Sequence, residues 1–218
     1  MKSMARFRIS NVFNSDSFAL WALSALLIAT ALTGGSARAD VASLIFLRPF
    51  TILLLGLGLV TLSRTHIQNH PFLFIMALAI LGYIALQLVP LPPAIWRSIP
   101  GRDIIVRIDQ IAGLGKVWRP LSMTPYATLN AFLATLAPFT ALVLGMQLDA
   151  RACHRLLIVL LGIAGVSALL AVSQVFGPPD GPLYLYAITN DGASVGIFAN
   201  RNHQALFLAL TLVMLAIA

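Results

Sequence analysis

The sequence LLIVLLGIAGVSALLAVSQVF fills residues 156–176 and carries no charged side chain. The hydrocarbon core of a bilayer is crossed by a helix of about 20 mostly apolar residues, which this stretch supplies. Further apolar stretches of similar length lie at residues 18–33, 44–62, 72–90 and 128–147, and another runs from 203 to Ala218. We therefore predict an all-α fold, a polytopic bundle of about six transmembrane helices in one domain over residues 1–218.

The composition favours a membrane protein over a soluble one. Hydrophobic residues make up 59% of the chain and charged residues only 10%, with a mean hydropathy of +0.92. Soluble domains carry about 25% charged residues, so this chain has too few to cover a soluble surface. The net charge of +7 falls in predicted loops and indicates anionic or phosphorylated lipid as a partner, with no nucleic acid. The single cysteine, Cys153, excludes an intrachain disulfide and a multi-cysteine metal site.

The basic residues set the orientation of the predicted bundle, because cytoplasmic loops carry an excess of lysine and arginine. With the N-terminus inside, the inner segments are short and hold six basic residues: Lys2, Arg6, Arg8, Arg64, Arg151 and Arg155. The eight basic residues on the other side are spread over longer segments. We therefore predict a cytoplasmic N-terminus, with residues 91–127 and 177–202 on the outer face of the membrane.

The first apolar stretch has two interpretations. Basic residues precede it and Ala37-Arg38-Ala39 follows it, which is also the pattern of a signal peptide with a small-x-small cleavage site. An uncleaved anchor helix is favoured because further apolar stretches follow directly. Both interpretations give the same topology for the rest of the chain.

The outer loop at residues 91–127 contains an amphipathic pattern. Four isoleucines fall on one face of a helix, and polar residues lie largely elsewhere: Ile104, Ile105, Ile108 and Ile111. Trp96 and Trp118 flank this pattern in the manner of interfacial anchors. We predict a helix here, which either lies in the membrane interface or caps the bundle.

The polar run GIFANRNH at residues 196–203 is the main candidate site. In one interpretation it only starts a helix, and Asn200 caps the first backbone N–H groups. In the other, the helix N-terminus attracts phosphate, and Arg201 offers a planar fork of donors to a pyrophosphate. Asn200, Arg201 and Asn202 would then bind substrate, and His203 would accept the proton of a hydroxyl nucleophile. Spacing alone leaves both interpretations open.

Arg48 is a second candidate for substrate binding. Pro49 to Leu62 supplies about 21 Å of helix, which is short for a hydrocarbon core of ~30 Å. The span therefore begins near Leu44 and places Arg48 about one turn inside the outer boundary. There Arg48 either extends to the headgroups or contacts an anion within the bundle.

Other polar residues of the predicted bundle have structural interpretations. Gln87 and Gln174 lie near the outer ends of two apolar stretches, where we expect hydrogen bonds between helices. The histidines of the predicted inner loops lack metal-ligand spacing, so neither a metal site nor a cofactor is predicted.

Several stretches between residues 86 and 210 together resemble the O-antigen ligase and O-antigen polymerase family of bacterial inner-membrane glycosyltransferases. They are LQLVPLPP at 86–93 followed by Trp96 and Pro100, WRPLS at 118–122 followed by Thr124, Pro125 and Thr128, LYLY at 183–186, and GIFANRNH at 196–203. Each stretch is weak alone, and their order and spacing carry the resemblance.

The resemblance implies a helical bundle of the C type of glycosyltransferase in the bacterial inner membrane. Members take a glycan from a polyprenyl-diphosphate carrier on the outer face and pass it to lipid A core, a saccharide acceptor or a protein hydroxyl, without a metal. It also implies that Arg119, within the WRPLS stretch, contacts substrate and that residues 196–218 begin the core region of the family. The implied partners are the polyprenyl-diphosphate-linked glycan, its acceptor and membrane lipids.

The length of the chain departs from the family, whose members generally have more spans and carry their usual catalytic arginines and histidines in a later part. We therefore expect an N-terminal, truncated part of the family fold that is inactive alone. Two alternatives remain, a transporter or permease component and an inactive membrane protein. A transporter would show inverted repeats and helices broken near the bilayer midplane.

Overall fold

The computed structural model describes residues 15–33, 42–179 and 181–217. Most of these residues are helical: α1 (Ser15–Leu32), α2 (Leu44–Thr61), α3 (Arg64–Asn69), α4 (Pro71–Leu86), α5 (Pro93–Trp96), α6 (Asp103–Ile111), α7 (Pro125–Gly145), α8 (Ala150–Phe176) and α9 (Arg201–Ile217). Two short antiparallel strands, β1 (Pro90–Leu91) and β2 (Arg119–Pro120), pair Pro90 with Pro120 and Leu91 with Arg119. The predicted all-α fold is confirmed.

Each predicted apolar stretch forms a helix. Within the described ranges, three helices are long and apolar enough to cross a membrane, namely α2, α7 and α8. The helices α4 and α9 and the part of α1 from Ser17 to Leu32 are apolar but shorter. These lengths and compositions define a membrane protein, whereas the number of six spans stays a prediction. The basic residues before residue 15 and the Ala37-Arg38-Ala39 pattern lie outside the described residues.

Local chemistry explains where α8 and α4 depart from the apolar stretches. The Asp149 carboxylate accepts a hydrogen bond from the Ala152 N–H (2.6 Å) and caps α8, which therefore begins at Ala150 rather than at residue 156. The added turns carry exposed arginines that the hydropathy pattern had left out. α4 begins at Pro71, a favoured first helical residue, and ends at Leu86, after which the N–H groups of Leu88 and Val89 make turn bonds to the carbonyls of Ala85 and Leu86.

The described chain divides into two compact units. Unit 1 holds the residues up to Asn69 and those from Thr140 onward, and unit 2 holds His70–Phe139. The helix α7 contributes its first part to unit 2 and its last turn and a half to unit 1. The assignment of residues 1–218 to one transmembrane domain stays a prediction.

Unit 2 consists of α4, the first part of α7 and the folded segment between them. The backbone N–H of Ser122 donates to the carbonyl of Gln87 (2.8 Å), and β1 pairs with β2. The chain therefore leaves the end of α4 and returns beside it. We call the contact formed by Gln87, Ser122 and the two strands the neck. Trp96 is fully buried inside the segment and donates from Nε1 to the carbonyl of Val117 (2.9 Å).

The core of unit 1 forms where α1 packs against α2 and α8, and α8 also packs against α9. Its buried side chains come mainly from one face of α1, with additions from α2 and α7: Ala19, Ala22, Leu23, Leu26, Leu54 and Leu144. The alanines on α1 allow neighbouring backbones to approach closely, as at helix contacts in membrane proteins.

A buried amide fastens α2 to the turn after α7 in unit 1. The Nε2 group of Gln147 donates to the carbonyls of Gly58 (3.0 Å) and Val143 (2.9 Å), and its Oε1 accepts from the Thr61 hydroxyl (2.7 Å). Gly58 permits this approach, because a Cβ atom there would lie 3.0 Å from Cδ2 of Leu144 and 3.3 Å from Cγ1 of Val143. The contact has no room for a larger side chain.

We expect Gly58→Leu to destabilise the protein in detergent more than Gly56→Leu. Overpacking of a close contact costs about 1–3 kcal/mol, whereas a Cβ atom on Gly56 meets nothing within 4 Å. The measurement is the thermal or dodecyl-sulfate unfolding midpoint followed by circular dichroism. Both variants gain the same helix propensity, so equal midpoints would contradict the close approach of α2 to Leu144.

Candidate functional site

A single glutamine fastens the segment between α8 and α9, residues 177–200, to α8. Gln174 is 2% exposed, and its Oε1 accepts from the backbone N–H groups of Val195 (2.9 Å) and Gly196 (2.8 Å). Its Nε2 donates to the carbonyls of Leu183 (3.0 Å) and Gly196 (3.1 Å). These four bonds use the full capacity of the amide. The prediction that Gln174 bonds to a neighbouring helix is therefore wrong, because its amide binds loop backbone instead.

Gly196 lies where this segment comes very close to side chains of α8 and α9. Its φ of +57° lies in the left-handed region that favours glycine, and a Cβ atom would stand 2.5 Å from Oγ of Ser167 and 2.6 Å from the Gln204 side chain. The Ser167 hydroxyl donates to Oε1 of Gln204 (2.5 Å) and accepts from the N–H of Ile197 (3.2 Å). Gly196 is therefore held between α8 and α9 by both helices.

The start of α9 is capped by asparagines on both sides. Asn200 accepts from the N–H of Asn202 through Oδ1 (2.8 Å), and Asn190 accepts from the N–H of Arg201 in the same way (3.1 Å). The N–H groups of His203 and Gln204 donate to the carbonyl of Asn200 (3.1 and 3.2 Å). The first four N–H groups of α9 are thus all engaged within the chain, so an anion here would bind through side chains.

An open cleft of about 480 Å³ lies beside this helix start. It is lined by three residues of α9 and three of the preceding segment: Arg201, Asn202, Ala205, Gly192, Ala193 and Ser194. Arg201 is exposed, and its guanidinium forms no hydrogen bond or ion pair with any described residue. The cleft therefore combines a free cation, an amide and a hydroxyl at one helix end.

Two of the four polar side chains at 200–203, those of Asn200 and His203, do not line the cleft. The Asn200 side chain serves as the cap of α9. His203 is exposed, and its ring meets the edge of Phe198 at a centroid distance of 6.5 Å. His203 lies two residues after Arg201, about 200° around the helix, so the two side chains point in different directions.

Arg48 lies in unit 1, five residues into α2 when Leu44 is counted as the first, and is half-buried. This position agrees with the helix start expected for that span. Arg48 is not among the residues that line the cleft. Its role in substrate binding stays a prediction.

Arg119 lies in unit 2 and is engaged in the packing of the segment. Its Nε donates to Oδ2 of Asp109 (3.0 Å), a second nitrogen contacts Oδ1, and the guanidinium stands over the Trp96 ring, 5.7 Å from the centroid. The hydrogen bond from Arg119, with its charge and that of Arg97, holds the pKa of Asp109 below the ordinary 3.8, although burial of the carboxylate acts in the opposite direction. Arg119 thus has a structural partner, and its contact with substrate stays a prediction.

Sequence reasoning missed the loop side of the cleft. Asn190 caps α9, and Gly192 to Ser194 form the wall opposite Arg201, yet only the turn signal Asn190-Asp191-Gly192 marks this stretch in the sequence. The bonds that hold this loop beside α9 join residues far apart in the sequence, such as Gln174 with Val195, so a local sequence pattern does not predict them.

Comparison with known proteins finds no family model, no curated protein and no solved structure that matches this chain. The resemblance to the O-antigen ligase family therefore rests on the quoted stretches and stays a prediction. Among the described residues, no three His, Cys, Asp or Glu side chains are grouped to hold a metal ion.

We expect Gly196→Ala to loosen the segment between α8 and α9 far more than Gly192→Ala. Both glycines have positive φ, +57° and +71°, so both variants carry the left-handed penalty of about 1–2 kcal/mol. Only at Gly196 does the new methyl group also collide with Ser167 and Gln204, whereas at Gly192 it meets Pro179 at an ordinary 3.6 Å.

Trypsin provides the measurement, because residues 177–200 contain no lysine or arginine and Arg201 follows them directly. Cleavage after Arg201 should be faster in Gly196→Ala than in Gly192→Ala or the unmodified protein. Equal cleavage rates in the two variants would contradict the close approach described for Gly196.

Proposed function

We propose that this chain contributes to a membrane glycosyltransferase in which the cleft at the start of α9 binds the diphosphate of a polyprenyl-linked glycan. The observation that carries the proposal is the Arg201 guanidinium, which is exposed in the cleft and has no hydrogen-bond or ion-pair partner among the residues that the structure describes. Such a planar fork of donors suits phosphate oxygens. Gln174, near the end of the candidate span α8, binds the backbone next to the loop wall of the cleft, so a ligand with a lipid tail would reach the cleft from the membrane.

The size and chemistry of the cleft fit this class of ligand. Its volume of about 480 Å³ lies within the ~300–1,000 Å³ typical of small-molecule sites. The amide of Asn202 and the hydroxyl of Ser194 add neutral donors beside the cation. An open cleft suits a substrate whose glycan and lipid parts both extend beyond the bound diphosphate.

The reaction needs little from the protein beyond charge stabilisation and a base. An acceptor hydroxyl attacks the anomeric carbon, the bond from that carbon to the diphosphate oxygen breaks, and the diphosphate leaves with the electron pair. Arg201 would stabilise the developing charge on the leaving group. The acceptor proton must pass to a base, and the different directions of Arg201 and His203 make His203 a poor partner within the same cleft.

A transporter is less well supported by these features. Alternating-access transporters bind substrate where helices are broken near the bilayer midplane. The candidate spans Leu44–Thr61, Pro125–Gly145 and Ala150–Phe176 are each continuous helices. The polar cleft lies at a helix end, which is the place for a substrate held at the membrane surface.

We expect Arg201→Ala to lower glycan transfer roughly 10-fold or more, since a hydrogen bond to a charged group is worth about 1.5–3 kcal/mol. Arg201→Lys should retain part of the activity, because the charge remains but the fork is lost. The measurement is transfer of a lipid-linked glycan in membranes that lack the endogenous activity.

Two control variants make that result specific. Arg155→Ala removes an exposed arginine at the other end of α8 and should leave transfer unchanged. His203→Ala should affect transfer less than Arg201→Ala because His203 lies outside the cleft. Full transfer by Arg201→Ala at normal membrane levels would overturn the proposed role of the cleft.

We further propose that the membrane is the bacterial inner membrane, with the N-terminus in the cytoplasm and the cleft on the outer face. Cys153, the only cysteine, is exposed at the start of α8, so it reports one side of the membrane. An impermeant maleimide should label Cys153 in inverted vesicles and not in intact spheroplasts. With Cys153 replaced by serine, Ser194→Cys should show the reverse pattern, and labelling of both positions from the same side would contradict this topology.

A further inference from the structure

The helix α6 buries the carboxylate of Asp109 and leaves three of its isoleucines exposed. Asp109 is 1% exposed and Arg102, just before the helix, is 3% exposed. By contrast Ile104, Ile108 and Ile111 are 71%, 54% and 88% exposed. These three residues follow the i, i+4, i+7 spacing of a single stripe, and we call them the isoleucine face. A helix packed on a soluble protein surface shows the opposite arrangement.

Interactions inside unit 2 hold α6 in this rotation. Asp109 accepts the fork of Arg119, which in turn stands over the buried ring of Trp96. Arg102 donates to the carbonyls of Pro120 and Leu121. Rotating the isoleucine face inward would break these contacts and leave buried charges without partners, which is strongly unfavourable.

The neck places α6 beside the end of a candidate span. Ser122, whose N–H bonds to the carbonyl of Gln87, lies just before Pro125, the first residue of α7. Since α7 is long and apolar enough to cross a membrane, a bilayer crossed by α7 would begin near the neck. Trp118, an exposed residue of a type enriched at membrane interfaces, lies close to the neck in the sequence.

We infer that the isoleucine face of α6 is a lipid-contacting surface that lies in the interfacial region of the bilayer, beside the N-terminal end of α7. The exposed charges nearby sum to only +1, because Arg107 and Lys116 are accompanied by Asp103 on the same short segment. Apolar contact rather than attraction to anionic headgroups therefore carries the association. This assignment concerns unit 2 and does not depend on the function proposed for the cleft.

The test uses the full chain in lipid vesicles, with Cys153 replaced by serine and an environment-sensitive fluorophore on a single introduced cysteine. Ile111→Cys places the probe on the isoleucine face, and Gln110→Cys places it on an exposed position of the same helix outside that face. The quenchers are nitroxide lipids labelled near the headgroup and iodide present on both sides of the vesicle. Ile104→Cys provides a second probe on the face if the first variant folds poorly.

We expect nitroxide lipids to quench the probe at Ile111 several-fold more than the probe at Gln110, and iodide to show the reverse preference. High salt should leave this pattern unchanged. Equal iodide access at both positions would overturn the inference, because the face would then be in water. Protection of Ile111 from both quenchers would also overturn it, and loss of that protection on diluting the protein with lipid would identify a second copy of the chain as the occupant.

Discussion

The buried amide of Gln174 is the interaction on which the candidate site depends. A polar side chain in an apolar environment is costly unless its hydrogen bonds are satisfied, and Gln174 satisfies all of its donors and acceptors with loop backbone. The same bonds satisfy backbone groups of Val195 and Gly196, which would otherwise be buried without partners. The four bonds therefore satisfy both the Gln174 amide and the buried loop backbone, and they hold the loop wall of the cleft against α8.

Unit 1 uses the same solution a second time. The amide of Gln147 binds two backbone carbonyls and one hydroxyl, and Gly58 permits the close approach of α2 to the end of α7. Gln174 is likewise accompanied by Gly196, where a methyl group has no space. In both places a glutamine makes the directional hydrogen bonds and a glycine permits the close approach. The Gln147 contact fixes α2 against the turn after α7, and the Gln174 contact fixes the segment 177–200 against α8.

The sequence predicted the positions of the helices better than the contacts between them. Apolar stretches located the helices, because burial in lipid needs a continuous run of apolar residues that composition records directly. Helix ends were displaced where local chemistry acted, as at Asp149, which caps α8 ahead of its apolar run. Arg201 and Asn202 were predicted as site residues from their position at a helix start, and both line the cleft, whereas their role in binding stays a prediction. Its other wall, at Gly192–Ser194, depends on bonds between residues far apart in sequence, which no local pattern specifies.

The length of α8 couples the cleft to the bilayer itself. A helix of 27 residues extends about 40 Å, and its charge-free residues 156–176 alone extend about 31 Å, slightly more than a hydrocarbon core of ~30 Å. Such a helix accommodates the excess by tilting, and the tilt decreases as the membrane thickens. Because Gln174 fastens the loop wall close to the far end of α8, a change in the tilt of α8 would move the cleft with it. Under the proposed topology, lipid composition would then change how the cleft is presented to a ligand, without any contact between a particular lipid and the cleft.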